Sequence, residues 1–477
     1  MSSNPEQIHV DVHSQLAGGR LNMSDAIAQS LGFVVPVMGV AYLTPLVAGA
    51  TGKGAGAATP LAMLLGGIGV LCIGLVVAQF ARKYPHAGSI YEYISQTAGP
   101  FPGFMAGWVY AVGAFFLAIG ILPGIGGFIQ GTFAAHDIGV PWIWFSLVFL
   151  AFTMVVQYVD VRIATRVTLG IVFVASAIIL VFAIYVIIRS GAANSIKFFL
   201  PSTATQGGQG VLFGLIFAFL TYSGFEASAV LSEETKDARR TIAITVLAAV
   251  GIIIAYFTIT IYAEAVSYGI KDANEVWPTD PTPLFTMGAK WGGTWLVDVL
   301  SVAAIVDAVA GAVAVSVTTT RMLYALGRDG IIPRWLGKTH DKHKTPTHAI
   351  YFVGFAGLVY ILFTYFYGWD ALVGFSFAGG TGGLALIVVY LVLSIAGFTL
   401  DWNRVMVARI IIPLIGIALT AFAIYASVWP VPPSPAKWMP YTFLVFLAIG
   451  VIIGLVARSR RVPAIISLAG QTQPDIE

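Results

Sequence analysis

The sequence predicts an all-α integral membrane fold of twelve transmembrane helices, arranged as a five-plus-five inverted repeat with two additional C-terminal helices. Three observations point there: the composition, apolar runs long enough to cross a bilayer, and interruptions at matching places in the first and sixth runs. Of the 477 residues, 58% are hydrophobic and only 10% charged, against roughly 45–50% apolar and about 25% charged in a typical soluble domain. A water-soluble protein of this size has too little polar surface to cover that much apolar material, so lipid supplies the missing solvent. The runs are continuous over about 20 residues and do not alternate in polarity, which favours helices over a barrel.

In order, the runs cover about 24–50, 57–81, 102–129, 141–159, 166–188, 211–231, 241–265, 294–325, 348–367, 371–398, 406–429 and 438–457. Pro60, Pro141 and Pro440 fall at first turns, where a missing N–H leaves no bond unmade. The chain divides into an N-terminal segment 1–23, a first repeat 24–188, a second repeat 211–398, a helix pair 406–457 and a tail 458–477. The first run is too long for a signal-peptide core and lacks a following small-residue cleavage site, so it is expected to remain a span.

Orientation follows from the basic residues. With the N-terminus in the cytoplasm, only Lys53, Arg189, Lys197, Lys271, Lys290 and Lys437 of the 25 fall in outer segments. The rest lie in inner segments, which places both termini on the cytoplasmic side of the cell's inner membrane. The longest outer loop, about 266–293, carries Trp277, Pro278, Pro281, Pro283 and Trp291. It reads either as a linker held at the interface by its tryptophans or as a partial lid.

Several function classes drop out. The single cysteine, Cys72, excludes an intramolecular disulfide, and the net charge of +3 is scattered over loops without the pattern of a nucleic-acid binder. His86, His340, His343 and His348 lie in or beside inner loops without metal-ligand spacing. No nucleophile, metal or nucleotide motif is present, so neither an enzyme nor a cofactor is expected.

The first span contains Pro36, Gly39 and Pro45 in V-V-P-V-M-G-V-A-Y-L-T-P, and the sixth contains Gly224 in F-L-T-Y-S-G-F-E-A-S-A. A helix interrupted in the bilayer frees N–H and C=O groups, which is tolerated where they face a cavity. The freed ends present dipoles suited to a carboxylate or an ammonium. Each interruption alone reads as a kink, but their separation by one five-helix block fits an inverted repeat with a central site. The expected lining is Val37, Met38, Gly39, Val40, Ala41 and Tyr42 of span one and Phe219, Tyr222, Ser223, Gly224, Phe225 and Glu226 of span six. Tyr110 of span three and Phe375 of span ten join them, and the rings offer either cation–π contact or plain packing.

Acids inside a span are costly unless paired, protonated or wetted, which makes the few present informative. Glu226 follows the sixth-span break directly. It reads as a receptor for an ammonium, a proton carrier, or a structural group satisfied by the N–H groups of the outgoing half-helix. Asp298 and Asp307 share span eight but lie nine residues apart, about 2.5 turns, so they face opposite sides and cannot share a proton. Asp307 is the deeper coupling candidate, and Asp298 an interfacial residue. Ser316, Thr318, Thr319 and Thr320 read as a sodium site or as hydroxyls bonded back to the preceding turn. Glu264 sits near the outer end of span seven and needs no role there.

Three segments resemble the amino acid, polyamine and organocation permease superfamily, and its bacterial amino acid permeases in particular. A-R-K-Y-P-H-A-G-S-I-Y-E-Y, from Ala81, carries Arg82, Pro85, Gly88 and Tyr91 in matching places. G-F-E-A-S-A-V-L-S-E-E-T-K-D-A-R-R-T-I, from Gly224, places Glu226, Glu234 and Arg240 on the family's charged positions. R-M-L-Y-A-L-G-R-D-G-I-I-P-R-W-L, from Arg321, with T-P-T-H-A from Thr345, agrees at Arg321, Arg328, Asp329, Gly330, Pro333 and Pro346. The resemblance implies a twelve-helix transporter that holds a substrate's amino and carboxyl groups at the unwound centres of helices one and six. Two departures stand out: Met38 to Tyr42 reads M-G-V-A-Y where relatives have a G-S-G or G-A-G bend, and Val174, Ala175 and Ser176 stand where some relatives have a lysine.

The expected function is alternating-access transport of an amino acid across the cytoplasmic membrane by proton symport or exchange, with a proton as coupling ion. A small organic amine or polyamine as substrate, with sodium as coupling ion, is the alternative. A membrane ligand sensor or a channel would use the same breaks without saturable counterflow. The expected partners are the substrate and the lipid bilayer, with the chain a monomer or weak homodimer.

Overall fold

The computed structural model describes residues 19–49, 53–84, 90–134, 136–159, 161–400, 406–429, 431 and 434–462. Pro85, His86 and Gly88, most of the segment 1–23 and the tail beyond 462 lie outside the described residues.

The protein is an all-α, multi-pass membrane protein. Among the described residues, eleven helical stretches are long and apolar enough to cross a bilayer: Met23–Ala48, Gly56–Lys83, Pro100–Ala134, Trp142–Val159, Arg166–Ala193, Ala238–Glu275, Thr294–Arg328, Thr347–Phe366, Ala371–Thr399, Arg409–Val428 and Ala436–Ser459. The sixth expected span is the exception. It is a 15-residue helix, Gly207–Thr221, then a turn, then a 3-10 stretch, Ala227–Glu234. Counting that broken segment in place, the spans keep the numbers one to twelve.

Span one starts on a capping box. The Asn22 side chain accepts from Asp25 N at 3.1 Å and the Asp25 carboxylate accepts from Asn22 N at 3.0 Å, satisfying two otherwise orphaned donors. The helix stops at Val35, which adopts φ 51°, ψ 65°. Pro36 causes this, because its ring disfavours the α conformation in the residue before it and its nitrogen has no hydrogen to give to the turn below. Pro36 then starts the next helical piece, and Gly39–Leu43 winds as a π-helix before Thr44–Ala48. The break, expected around Pro36 and Gly39, opens at Val35, directly before Pro36. Gly39 is wound, and its smallness lets span seven approach: a Cβ there would lie 2.8 Å from the Phe257 ring and 3.0 Å from Thr221.

The centre of the bundle is built from small residues. Span eight is buried almost continuously from Asp307 to Gly327, a stretch rich in Ala, Val, Gly and Thr that lets neighbouring backbones approach closely. Large apolar side chains such as Phe173, Phe355 and Phe366 stand outward instead, where lipid receives them. Span three packs along spans ten and eight, span two along span seven, span five along span eight, and span four along span nine.

The loop after span seven folds. Gly269 (φ 78°) ends the span's regular winding and Gly293 (φ 76°) precedes span eight, with the helix Pro283–Gly292 between them. Trp277 does not anchor the loop at the interface, as one reading of the sequence had it. It is fully buried, stacks on Tyr268 with ring centroids 5.4 Å apart, and donates its indole N–H to Thr44 Oγ1 at 3.3 Å.

Candidate functional site

The two interruptions meet. Phe33, two residues before the Val35 break, lies against Gly224, where a Cβ would fall 1.9 Å from the Phe33 ring. Gly224 also has φ 101°, so both the close approach and the backbone conformation require glycine there.

At the span-one break, the N–H groups of Val37 and Met38 point to span eight. Asp307 Oδ2 accepts both, at 2.9 and 3.2 Å. A helix normally receives such a cap from the residue at its own start, but Val35 has no polar atom to offer, and Asp307 supplies the cap from another helix. Asp307 is completely buried, and its second oxygen has no hydrogen-bond partner among the described residues. One turn further along span eight, Gly311 makes room for Val35, whose Cγ2 would lie 2.5 Å from a Cβ.

At the span-six break, Gly224 N donates to the Tyr390 hydroxyl at 2.9 Å, and that hydroxyl donates to Glu226 Oε2 at 2.6 Å. Tyr390, from span ten, thus bridges the freed backbone and the buried acid. Glu226 does not take the N–H groups of the outgoing half-helix as its structural reading had it. It makes no cap to that half-helix; its bond of ordinary geometry comes from Tyr390, the backbone N–H groups of Gly224 and of Glu226 itself lie beside it, and Oε1 has no partner of ordinary geometry among the described residues. The Tyr110 hydroxyl sits beside the same carboxylate without a bond of ordinary geometry.

The remaining sites separate into two groups. Phe219 and Phe225 pack on the Tyr390 ring, and the Ser223 hydroxyl is buried near the break without a partner among the described residues. Tyr222 is committed to packing, with its hydroxyl on the Met63 carbonyl at 3.0 Å and its ring edge-on to Phe257. Val40 accepts from the Thr44 hydroxyl at 3.3 Å, and Ala41 is buried without a polar role. Tyr42 leaves the polar centre for an aromatic cluster. It stacks on Phe128 at 4.2 Å and meets the edge of Phe285 from the loop helix, while Phe375 meets Phe128 edge-on at 6.1 Å.

Tyr390, Phe128, Phe285 and Phe33 were not among the expected site residues. The available signal was Tyr390 itself, a hydroxyl in the run L-I-V-V-Y-L-V-L that must find a partner once buried. Asp298 is half-exposed and bonds His136 at 3.0 Å, apart from Asp307. Thr319 and Thr320 bond back to the Val315 and Val317 carbonyls, and Thr318 accepts from Gln29 at 3.0 Å. Ser176 of span five stands beside the Tyr256 ring hydroxyl.

Known proteins agree with this architecture. Residues 22–454 match the family described as amino acid permease. An uncharacterized transporter of Mycobacterium tuberculosis (strain H37Rv) is 26% identical over 410 residues, covering 86% of this chain and 87% of the relative. The branched-chain amino acid permease BcaP of Bacillus subtilis is 25% identical over 64% of this chain and 68% of its own. The low-affinity putrescine importer PlaP of Escherichia coli K12 is 28% identical over 72% and 78%. With most of its length matched, the chain belongs to the amino acid permease family: it is a membrane transporter of small polar solutes and not an enzyme.

Proposed function

We propose that this protein is a secondary active carrier that moves an amino acid across the cytoplasmic membrane by alternating access, with proton symport or exchange and both termini in the cytoplasm. The observation that carries the reading is the Phe33–Gly224 contact, which joins two broken helices into one centre holding two buried acids, Asp307 and Glu226. Glu226 receives the substrate ammonium, with its unpartnered Oε1 free to do so. Asp307 carries the coupling proton on Oδ1 while Oδ2 keeps the cap. The five-plus-five repeat, 24–188 and 211–398 with the pair 406–457 appended, is supported by the helix pairing. Advancing every number by five exchanges the contact of spans three and ten with that of spans eight and five, and returns the two–seven and four–nine contacts to themselves.

A second reading, a small organic amine or polyamine, is favoured by one specific observation. The Val37 and Met38 N–H groups that would hold a substrate carboxylate are already given to Asp307. A substrate without a carboxylate needs no such donors, and one relative is named a putrescine importer. The test is a thermal-stability screen of the purified protein with amino acids against amines, with and without sodium and at two pH values. A larger shift with amino acids supports the first reading, and one with amines the second. Counterflow in proteoliposomes separates a carrier from a sensor or channel.

A further inference from the structure

Glu264 stands outside the centre just described. It lies on span seven, two turns beyond Tyr256, and is completely buried with no hydrogen-bond partner of ordinary geometry on either carboxylate oxygen among the described residues. The Thr44 hydroxyl is beside it. That hydroxyl also lies 3.3 Å from the Val40 carbonyl and receives the Trp277 indole, so among the described residues it is the single shared donor beside the carboxylate. Of the other titratable groups near it, Tyr256 and Tyr268 are on the same helix, and Asp280 is acidic and bonded to the Tyr268 hydroxyl. The Lys290 ammonium donates to the Ser267 carbonyl, one turn along the same helix. An ionised carboxylate with one shared hydroxyl donor and no cation beside it in a dry site is costly, and a neutral one is far less so.

Near Glu264 lies a segment that carries Asp280 and is bounded by two glycines. Residues 270–292 run between Gly269 and Gly293, two left-handed glycines around which a Cβ would meet nothing within 4 Å. One turn along from Glu264, Ser267 receives Lys290 on its carbonyl and Trp291 on its hydroxyl at 3.0 Å, pinning the helix Pro283–Gly292. Phe285 of that helix closes over Tyr42, and Trp277 latches on Thr44.

We propose that Glu264 is a proton-binding site that controls this segment as an outer cap, holding a proton while the cap is shut and releasing it to the outside when the cap lifts. The inference rests on the orientation and carrier reading above. Because the shut form binds one more proton than the open form, lower outer pH favours the shut form and higher outer pH the open one.

Cap opening is read without substrate, so failure here is distinguishable from failure of the transport reading. In full-length protein lacking Cys72, Met287 is replaced by cysteine under the cap, with Ala289→Cys, on the exposed side of the same helix, normalising thiol reactivity. An impermeant maleimide is applied to proteoliposomes while outer pH is raised from about 5 to about 8, a range that lies between carboxyl titration in exposed and in deeply buried sites, where the two forms differ in bound protons. The normalised labelling rate is expected to rise several-fold, and Glu264→Gln and Glu264→Leu are each expected to flatten it at the low, shut value. A flat wild-type profile, or an unchanged pH dependence in whichever of the two variants folds, overturns the proposal.

Discussion

A carboxylate has two oxygens to divide between tasks, and Asp307 commits one of them to backbone. Replacing it with Asn keeps an oxygen for the Val37 and Met38 N–H groups but removes the proton site. Asp307→Asn is therefore expected to fold normally yet accumulate substrate independently of an imposed proton gradient; gradient dependence equal to wild type in proteoliposomes contradicts the coupling role. Asp307→Ala also loses the cap, which costs about 0.5–2 kcal/mol. Tyr390→Phe strands Gly224 N–H and Glu226 Oε2 together, a loss of about 1–3 kcal/mol readable by unfolding in detergent. Glu226 and Asp307 were legible in the sequence because an acid in an apolar run demands an explanation. Their partners were not, since sequence separations of 164 between Tyr390 and Glu226 and 270 between Val37 and Asp307 leave no local trace. The burial of Glu264 left no local trace for the same reason, because Thr44 beside it is distant in sequence.

At the scale of the element, the span-one break is a strained device held from outside. A valine at φ 51° is a steric outlier for a β-branched residue, of order 1–3 kcal/mol, and persists because span eight supplies both Asp307 and the gap at Gly311. Gly311→Ala should push into Val35 and lower stability by about 1–3 kcal/mol. Pairing it with Val35→Gly, which removes both the clash and the strain, should recover most of that; a double variant no better than the single one argues against the contact. Pro36 made a break in this region legible. The packing of Gly39 against Phe257 was not, because that ring comes from span seven, far away in the sequence.

Across the whole molecule, the centre is sealed at both ends. At the end carrying Leu21, Leu21 N donates to the Glu234 carbonyl and Lys236 N to the Leu21 carbonyl, both at 2.9 Å. Behind this bridge the buried Arg321 Nε meets Glu234 Oε1 at 3.0 Å. At the opposite end the Trp277 and Phe285 contacts close the aromatic cluster. Removing one member of a buried ion pair leaves the other charge uncompensated, at a cost of about 3–5 kcal/mol. Glu234→Ala is accordingly expected to lower the thermal midpoint and, in a protein lacking Cys72 and carrying Leu21→Cys, to raise the reaction of that thiol with impermeant reagents from that side; unchanged accessibility would show that the pair does not hold that end shut. The all-α membrane architecture and the family were legible because apolar length and loop motifs are local. Which end is closed, and by what, depends on contacts between distant segments.

The most direct test of the central claim, that the joined breaks form one transport site, is counterflow in proteoliposomes. The tracer is whichever amino acid or amine stabilises the purified protein most. Wild-type protein should show saturable uptake stimulated by unlabelled ligand inside, and a well-folded Glu226→Gln variant should lose it by at least about tenfold, the equivalent of roughly 1.4 kcal/mol of binding at the site. Wild-type counterflow by Glu226→Gln would contradict the account.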